Sequence, residues 1–360
     1  MNIIRDWFNR YFSDPQVVLL VLLIVGAVLA IILLGNMLAP AIAAVVLAFL
    51  LDGPADWLRR RGVSNIISVT IVFVSFLTIA FIAFVAILPP ITGQFAQFFG
   101  LLPSMVTTLQ DLAMKLPEAF PGFVDEAQVA ELMAGVRAEL IDVGQKALQF
   151  SLGGITNLIT IVVYTILVPV MVFFFLKDRD VILAWLGSFL PAHRPLVRSI
   201  WLEVIDRTGD YARGKVYEIL IVGFSSWAVY TVIDLRFAAF LALITGLSVV
   251  IPYIGAALVT LPVAFVAFFQ WGLTSEFVLA VGLYLVIQAL DGNILAPLLF
   301  SEVVKLHPNA IIFSILLFGG IWGLWGVFFA IPLATGAHAV IKAWPRKNGD
   351  EIERKSDSTS

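Results

Sequence analysis

The chain has 360 residues, 61% of them hydrophobic and 13% charged, with a mean hydropathy of +1.00. Soluble domains carry roughly 25% charged residues, and 22 Lys+Arg with 25 Asp+Glu cannot cover a soluble surface of this size. Such a composition excludes a soluble enzyme and a disordered chain, and the net charge of -3 argues against a basic nucleic-acid-binding face. With no Cys, there is no disulfide framework, thiolate metal site or thiol nucleophile.

Residues 17–51, 62–110, 147–175, 219–233, 237–275, 277–290 and 306–341 contain no Asp, Glu, Lys or Arg. A spanning helix needs roughly 20 mostly apolar residues, and these continuous runs do not alternate as barrel strands do. The fold class is all-α: a polytopic helical integral membrane protein with about eight membrane segments. Residues 1–16 form an amphipathic approach to the bilayer. The run Val17–Leu34 is too long for a cleaved signal. Three helices near 17–34, 37–51 and 66–88 make an N-terminal membrane region, 1–91.

Residues 92–151 are too polar to span and carry apolar residues at helical spacing. Phe95, Phe98, Leu102, Val106 and Leu109 share one face, and Val129, Leu132, Val136 and Leu140 another. Pro117, Pro121 and Gly122 separate the two faces, which predicts an external helical hairpin. A fourth membrane helix, 152–176, precedes cytoplasmic amphipathic helices over 177–215. Residues 216–341 form a C-terminal membrane region, and 342–360 a charged tail. Arg59, Arg60 and Arg61, the basic stretch 177–215 and Lys342, Arg346 and Lys347 all place N- and C-termini in the cytoplasm.

Two apolar runs in the C-terminal region are interrupted. Ile251-Pro252-Tyr253-Ile254-Gly255 divides 237–269, and Gly319, Gly320, Gly323 and Gly326 divide 309–341. Each half falls short of a hydrocarbon core of about 30 Å, so both read as re-entrant hairpins or as pairs of short spans. With the spans 216–233 and 277–296 they form an inverted repeat, a recurring transporter plan.

No catalytic constellation, metal set or cofactor motif appears in the chain. Ionisable groups at membrane depth are costly and mark ion or solute sites. Asp291, with Gln288 and Asn293, is the leading candidate for a proton, cation or solute site. Pro252, Tyr253 and Gly255 are the second, because Pro removes a donor and Gly permits a reversed turn. Exposed carbonyls at that depth suit a watery path. Glu218 stands three residues after Lys215, the spacing of a local ion pair. Arg213 and Lys215 are candidates for anchoring or gating at the inner mouth. The small-residue segment Ala39–Ala48 suits close helix packing and a homo-oligomer.

Several motifs, in order, resemble the AI-2E family: Leu51-Asp52-Gly53-Pro54 through Arg61-Gly62-Val63, Phe175-Leu176-Lys177-Asp178-Arg179-Asp180, and Tyr211-Ala212-Arg213-Gly214-Lys215. Ile251-Pro252-Tyr253-Ile254-Gly255, Asp291-Gly292-Asn293-Ile294-Leu295-Ala296-Pro297 and Leu306-His307-Pro308 continue the series. The form Arg-Gly-Lys-Val with Glu218 is most similar to the PerM branch. Lys215 stands where many members have Gln, and Asp291 where many have Glu. The resemblance implies a multispanning bacterial inner-membrane transporter, an exporter of a small polar solute such as autoinducer-2, passive or ion-coupled. Some members resemble sodium/proton antiporters instead, which makes cation/proton antiport the alternative. A scaffold that assembles without transport is the reading from a different class.

Overall fold

A computed structural model describes residues 15–115, 117, 125–152, 158–188, 195–300 and 306–343. Every regular element among them is helical: α1 Pro15–Arg60, α2 Asn65–Ala113, α3 Glu126–Leu152, α4 Leu158–Lys177, α5 Arg179–Ser188 and α6 Pro195–Val232. There follow α7 Ala238–Ser248, α8 Ile254–Trp271, α9 Ser275–Leu290, a π-helical turn Asp291–Leu295, α10 Ala296–Phe300 and α11 Pro308–Ala343. Five stretches are long and apolar enough to cross a membrane: Met37–Arg60, Asn65–Ala113, Ile254–Trp271, Ser275–Phe300 and Pro308–His338. Tyr164–Lys177 and Ala238–Ser248 are shorter apolar helices. Side chains such as Ile79, Phe81, Ile82 and Phe84 stand exposed along α2, a surface that only acyl chains would solvate.

Several boundaries read from hydropathy vanish into continuous helices. The segments 17–34 and 37–51 are one helix, α1, because the Leu34-Gly35-Asn36 interruption is too weak to break it. The break expected between 66–88 and the external region is likewise absent. Helix α2 runs through Pro89, Pro90 and Pro103 for 49 residues, about 74 Å of helix and more than twice the hydrocarbon thickness. Its distal half packs against α3, so the predicted hairpin forms, with its first arm a direct extension of a membrane helix. On the surface of α3, Lys146 binds Asp142 at 2.5 Å, and this hydrogen bond holds the Lys146 ammonium above its ordinary pKa. The boundary at 215–216 also falls inside a helix, since α6 is continuous from Pro195 to Val232. The N-terminal approach 1–14, the tail from 344, and the 117–122 break apart from Pro117 lie outside the described residues.

The chain divides into two compact units, one of Met1–Gly53, Met171–Gly214 and Leu299–Ser360, the other of Pro54–Val170 and Lys215–Leu298. In the first, Arg179 binds Asp52 at 3.2 Å, which joins the Leu51–Pro54 motif to the Lys177–Asp180 motif. The Tyr211 ring packs on Phe300 and Phe328. His307 starts α11: its Nδ1 accepts from the Asn309 amide at 3.2 Å, with Pro308 at the first helical position.

The second unit holds the main core, with Phe98 and Leu102 of α2, Tyr230 of α6 and Phe240 and Leu241 of α7. Val259 and Val263 of α8 and Ala280 and Tyr284 of α9 complete it. Polar side chains close its backbone ends. Gln94 accepts from the Phe240 amide at 3.0 Å, in the first turn of α7. Gln270 accepts from the Arg236 amide and donates to the Asp234 carbonyl, both at 2.7 Å. Gln270 thus fixes the α6–α7 loop, where Asp234 and Phe237 adopt positive φ.

Candidate functional site

One face of α6 carries Lys215, Glu218, Val222, Ser226 and Tyr230, at steps of three and four residues, and all five are buried. Lys215, Glu218 and Ser226 are polar, so their burial calls for partners within the protein. Helix α7 is pressed against α6 through a Gly223–Gly246 crossing. A Cβ on Gly246 would lie 2.9 Å from the Gly223 Cα and 2.8 Å from the Ile219 carbonyl. Close backbone approach of this kind is the usual use of small residues between membrane helices. It brings the C-terminal end of α7 within reach of Lys215.

There the structure builds a buried charge cluster. Lys215 and Glu218 are 2% and 3% exposed, and their Nζ and Oε2 atoms lie 2.5 Å apart. The same ammonium donates to the Val249 carbonyl at 2.9 Å, on the residue that follows α7. The Asp291 carboxyl interacts with both Glu218 and Lys215. Stripping such ions of water costs several kcal/mol each, so an uncommitted cluster is an expensive feature. The Lys215 ammonium thus stands beside the carboxyls of Glu218 and Asp291.

Asp291 opens the π-helical turn. Single π turns inside α-helices recur at functional sites. Asn293, in this turn, donates from Nδ2 to the Ala289 carbonyl at 2.8 Å, so its side chain serves the helix backbone. Gln288 and Asp291, three residues apart and on one face, end differently. Among the described residues, Gln288 Nε2 and Asp291 Oδ1 are buried without a hydrogen-bond partner. A buried polar atom left without a bond costs about 1–3 kcal/mol.

Between α7 and α8 the chain reverses within five residues. Tyr253 has φ 63° and ψ -50°, and the Ile254 amide donates to the Pro252 carbonyl at 2.7 Å. Together these define a γ-turn of the normal hand, the rare and strained form. Gly255 follows because a Cβ there would overlap the Ser248 carbonyl. Tyr284 of α9 donates to the Ala256 carbonyl at 2.5 Å and ties the start of α8 to the helix that carries Asp291. Farther along, the Tyr230 and Thr245 hydroxyls lie 3.2 Å apart.

Of the residues singled out from sequence, Asp291, Lys215 and Glu218 come together, and the last two form the expected ion pair. Pro252 and Gly255 build the adjoining turn, while the Tyr253 ring projects from it, 64% exposed. Arg213 does not join them. It pairs with Asp210 on its own helix at 2.5 Å, so the shared role expected for Arg213 and Lys215 separates into two different environments. Sequence reasoning missed the Val249 carbonyl, which has no signature, and Tyr284, whose spacing of seven from Asp291 places both on one helical face. Among the described residues no three His, Asp or Glu side chains stand together to hold a metal ion.

Apolar helices of spanning length define a multi-pass membrane protein. The chain matches the family described as AI-2E family transporter over residues 5–346, and it belongs to that family. It is 41% identical to a protein designated a permease, PerM, of Escherichia coli (strain K12), over 96% of this chain and 98% of that one. It is 26% identical to a protein designated a transport protein, YueF, of Bacillus subtilis (strain 168), over 87% and 85% of the two chains. A protein so designated in Thermotoga maritima is 23% identical over 91% and 94%.

Proposed function

We propose that the protein is an inner-membrane exporter of a small, hydroxylated polar solute, and that Asp291 and Gln288 bind it. The observation that carries this reading is the pair of unpartnered buried atoms, Gln288 Nε2 and Asp291 Oδ1. A solute hydroxyl accepts from an amide and donates to a carboxylate at once, and so satisfies both. Autoinducer-2, after which the family is named, is a solute of this type. The termini are cytoplasmic in this reading, and the α7–α8 hairpin is re-entrant. Helix α7 has 11 residues, about 16 Å, too short to cross the bilayer.

The two buried carboxyls, Glu218 and Asp291, support a second reading, exchange of a monovalent cation for protons. Flux in proteoliposomes separates the two. Autoinducer-2 and, in parallel, sodium and proton movement are followed with wild type and Asp291→Asn under an imposed pH or sodium gradient. Solute flux that falls at least about tenfold in the variant, the effect of losing one charge-assisted hydrogen bond, supports export through this site. Ion exchange without solute flux supports the antiporter, and no flux of either from folded wild type refutes both.

A further inference from the structure

We propose that Lys215 is a charge-operated latch on the α7–α8 hairpin, released when a positive charge arrives at the Glu218–Asp291 pair. The inference rests on the reading that this pair is the working site of a transporter, and adds to it a means by which occupancy reaches the backbone.

The geometry is specific. The Lys215 ammonium is divided between Glu218 at 2.5 Å and the Val249 carbonyl at 2.9 Å. The Val249 carbonyl sits at the C-terminal, negative end of α7. Four residues beyond it, Tyr253 holds the strained γ-turn. Strained backbone persists only where its surroundings over-determine it, at a cost of about 1–3 kcal/mol. The Lys215 bond is one of those restraints, and Tyr284 on Ala256 is the other side-chain bond across this turn. Lys215 thus links the acid pair to the carbonyl that leads into the turn.

Charge decides how the latch responds. Helices α7 and α8 contain no Asp, Glu, Lys or Arg. Glu218 of its own helix and Asp291 of the π turn are charged groups that face Lys215. A monovalent cation or a proton at this pair withdraws the negative charge that positions the ammonium. Lys215 loses its counter-ion in a water-poor site, its hold on Val249 weakens, and the turn relaxes. With the pair fully ionised and vacant, Lys215 is held and the hairpin is closed.

Hydrogen–deuterium exchange on the full-length protein in nanodiscs tests this, read on peptides spanning residues 247–258. Lys215→Met is expected to speed exchange there by about tenfold, the effect of losing one hydrogen bond to a charged donor. Lys215→Arg keeps the charge and is expected to stay within about twofold of wild type. Replacing choline chloride by sodium chloride, or lowering the pH, is expected to speed exchange in wild type and to add nothing in Lys215→Met. Peptides from 98–110 of the same core serve as the control for global loosening. Unchanged exchange in Lys215→Met, an undiminished sodium or pH response in that variant, or no response of wild type to either cation would overturn the latch. If Lys215→Met does not fold, the wild-type response and the Lys215→Arg value decide. Flux is measured on the same preparations: wild type that transports without a cation response at 247–258 refutes the latch alone. Asp291→Asn that transports normally refutes the site.

Discussion

The two bent hairpins of this chain solve one steric problem with different residues. At α7–α8 the chain turns through Tyr253, at φ 63°, and Gly255 then passes the Ser248 carbonyl so closely that no Cβ fits. Within α11 it turns through Gly323, at φ 60°, and Gly326 passes the Phe318 carbonyl in the same way. The surroundings differ. Around the first turn stand Lys215 and Tyr284, each bonded to a backbone carbonyl. Around the second are rings: Trp322 and Trp325 stack on Phe329 at 6.2 and 6.3 Å. Where the turn is held by aromatic packing, a glycine relieves the backbone. Where it is held by polar contacts beside a charge cluster, a tyrosine keeps it strained. The proposed latch requires this difference, with the first hairpin as the element that moves and the second as a fixed bend.

The largest effects are expected where the two are alike. In Gly255→Ala and Gly326→Ala the new Cβ meets a backbone carbonyl, which cannot swing away as a side-chain tip does. The arms have to separate, at about 3 kcal/mol or more, the upper end of overpacking costs. Both variants are expected to lose monodispersity or several degrees in thermal midpoint. A well-behaved Gly255→Ala beside a collapsed Gly326→Ala would show that the first hairpin opens readily, and would break the steric equivalence. A smaller effect is expected for Gly323→Ala. Nothing lies within 4 Å of a Cβ there, so only the backbone conformation, with ψ -137°, penalises it. The cost is about 1–3 kcal/mol, read as a lower melting temperature with no change in oligomeric state.

These differences also separate what hydropathy could reveal from what it could not. Charge-free runs located the apolar segments, because burying a charge in lipid is costly over any stretch of about 20 residues. The same averaging hid the joins. Pro89 and Pro90 sit inside α2 although Pro predicts a break, since a long helix packed on α3 overrides a local penalty. The pair Lys215 and Glu218 was legible because helical spacing is local. Its meeting with Asp291, 73 positions beyond Glu218 in sequence, was not, and neither was the π turn that carries Asp291. Val249 contributes only its carbonyl, which every residue type has. The turn at 251–255 was legible from Pro and Gly, but its strain lies on Tyr253, a residue no turn rule selects.

The smallest expected effect tests the contrast most sharply. Tyr253→Gly removes the side chain that makes φ 63° unfavourable, and glycine adopts that region at no steric cost. About 1–3 kcal/mol of local strain is released. Against it stands the greater backbone entropy of an unfolded glycine, roughly 0.5–1 kcal/mol. The ring is 64% exposed and loses little packing within the chain. The balance is a gain of about 1 kcal/mol, read as a melting temperature raised by a few degrees. Tyr253→Phe keeps the Cβ and is expected to melt with wild type, which assigns the gain to backbone conformation rather than to the hydroxyl. Solute or ion flux is expected to move in the opposite direction, because a relaxed turn no longer opposes the Lys215 bond, and stability gained at a working site commonly costs activity. A Tyr253→Gly protein that melts lower than wild type would mean that the exposed ring is held by something outside the chain, lipid or a second copy. The first hairpin would then be a structural bend like the second.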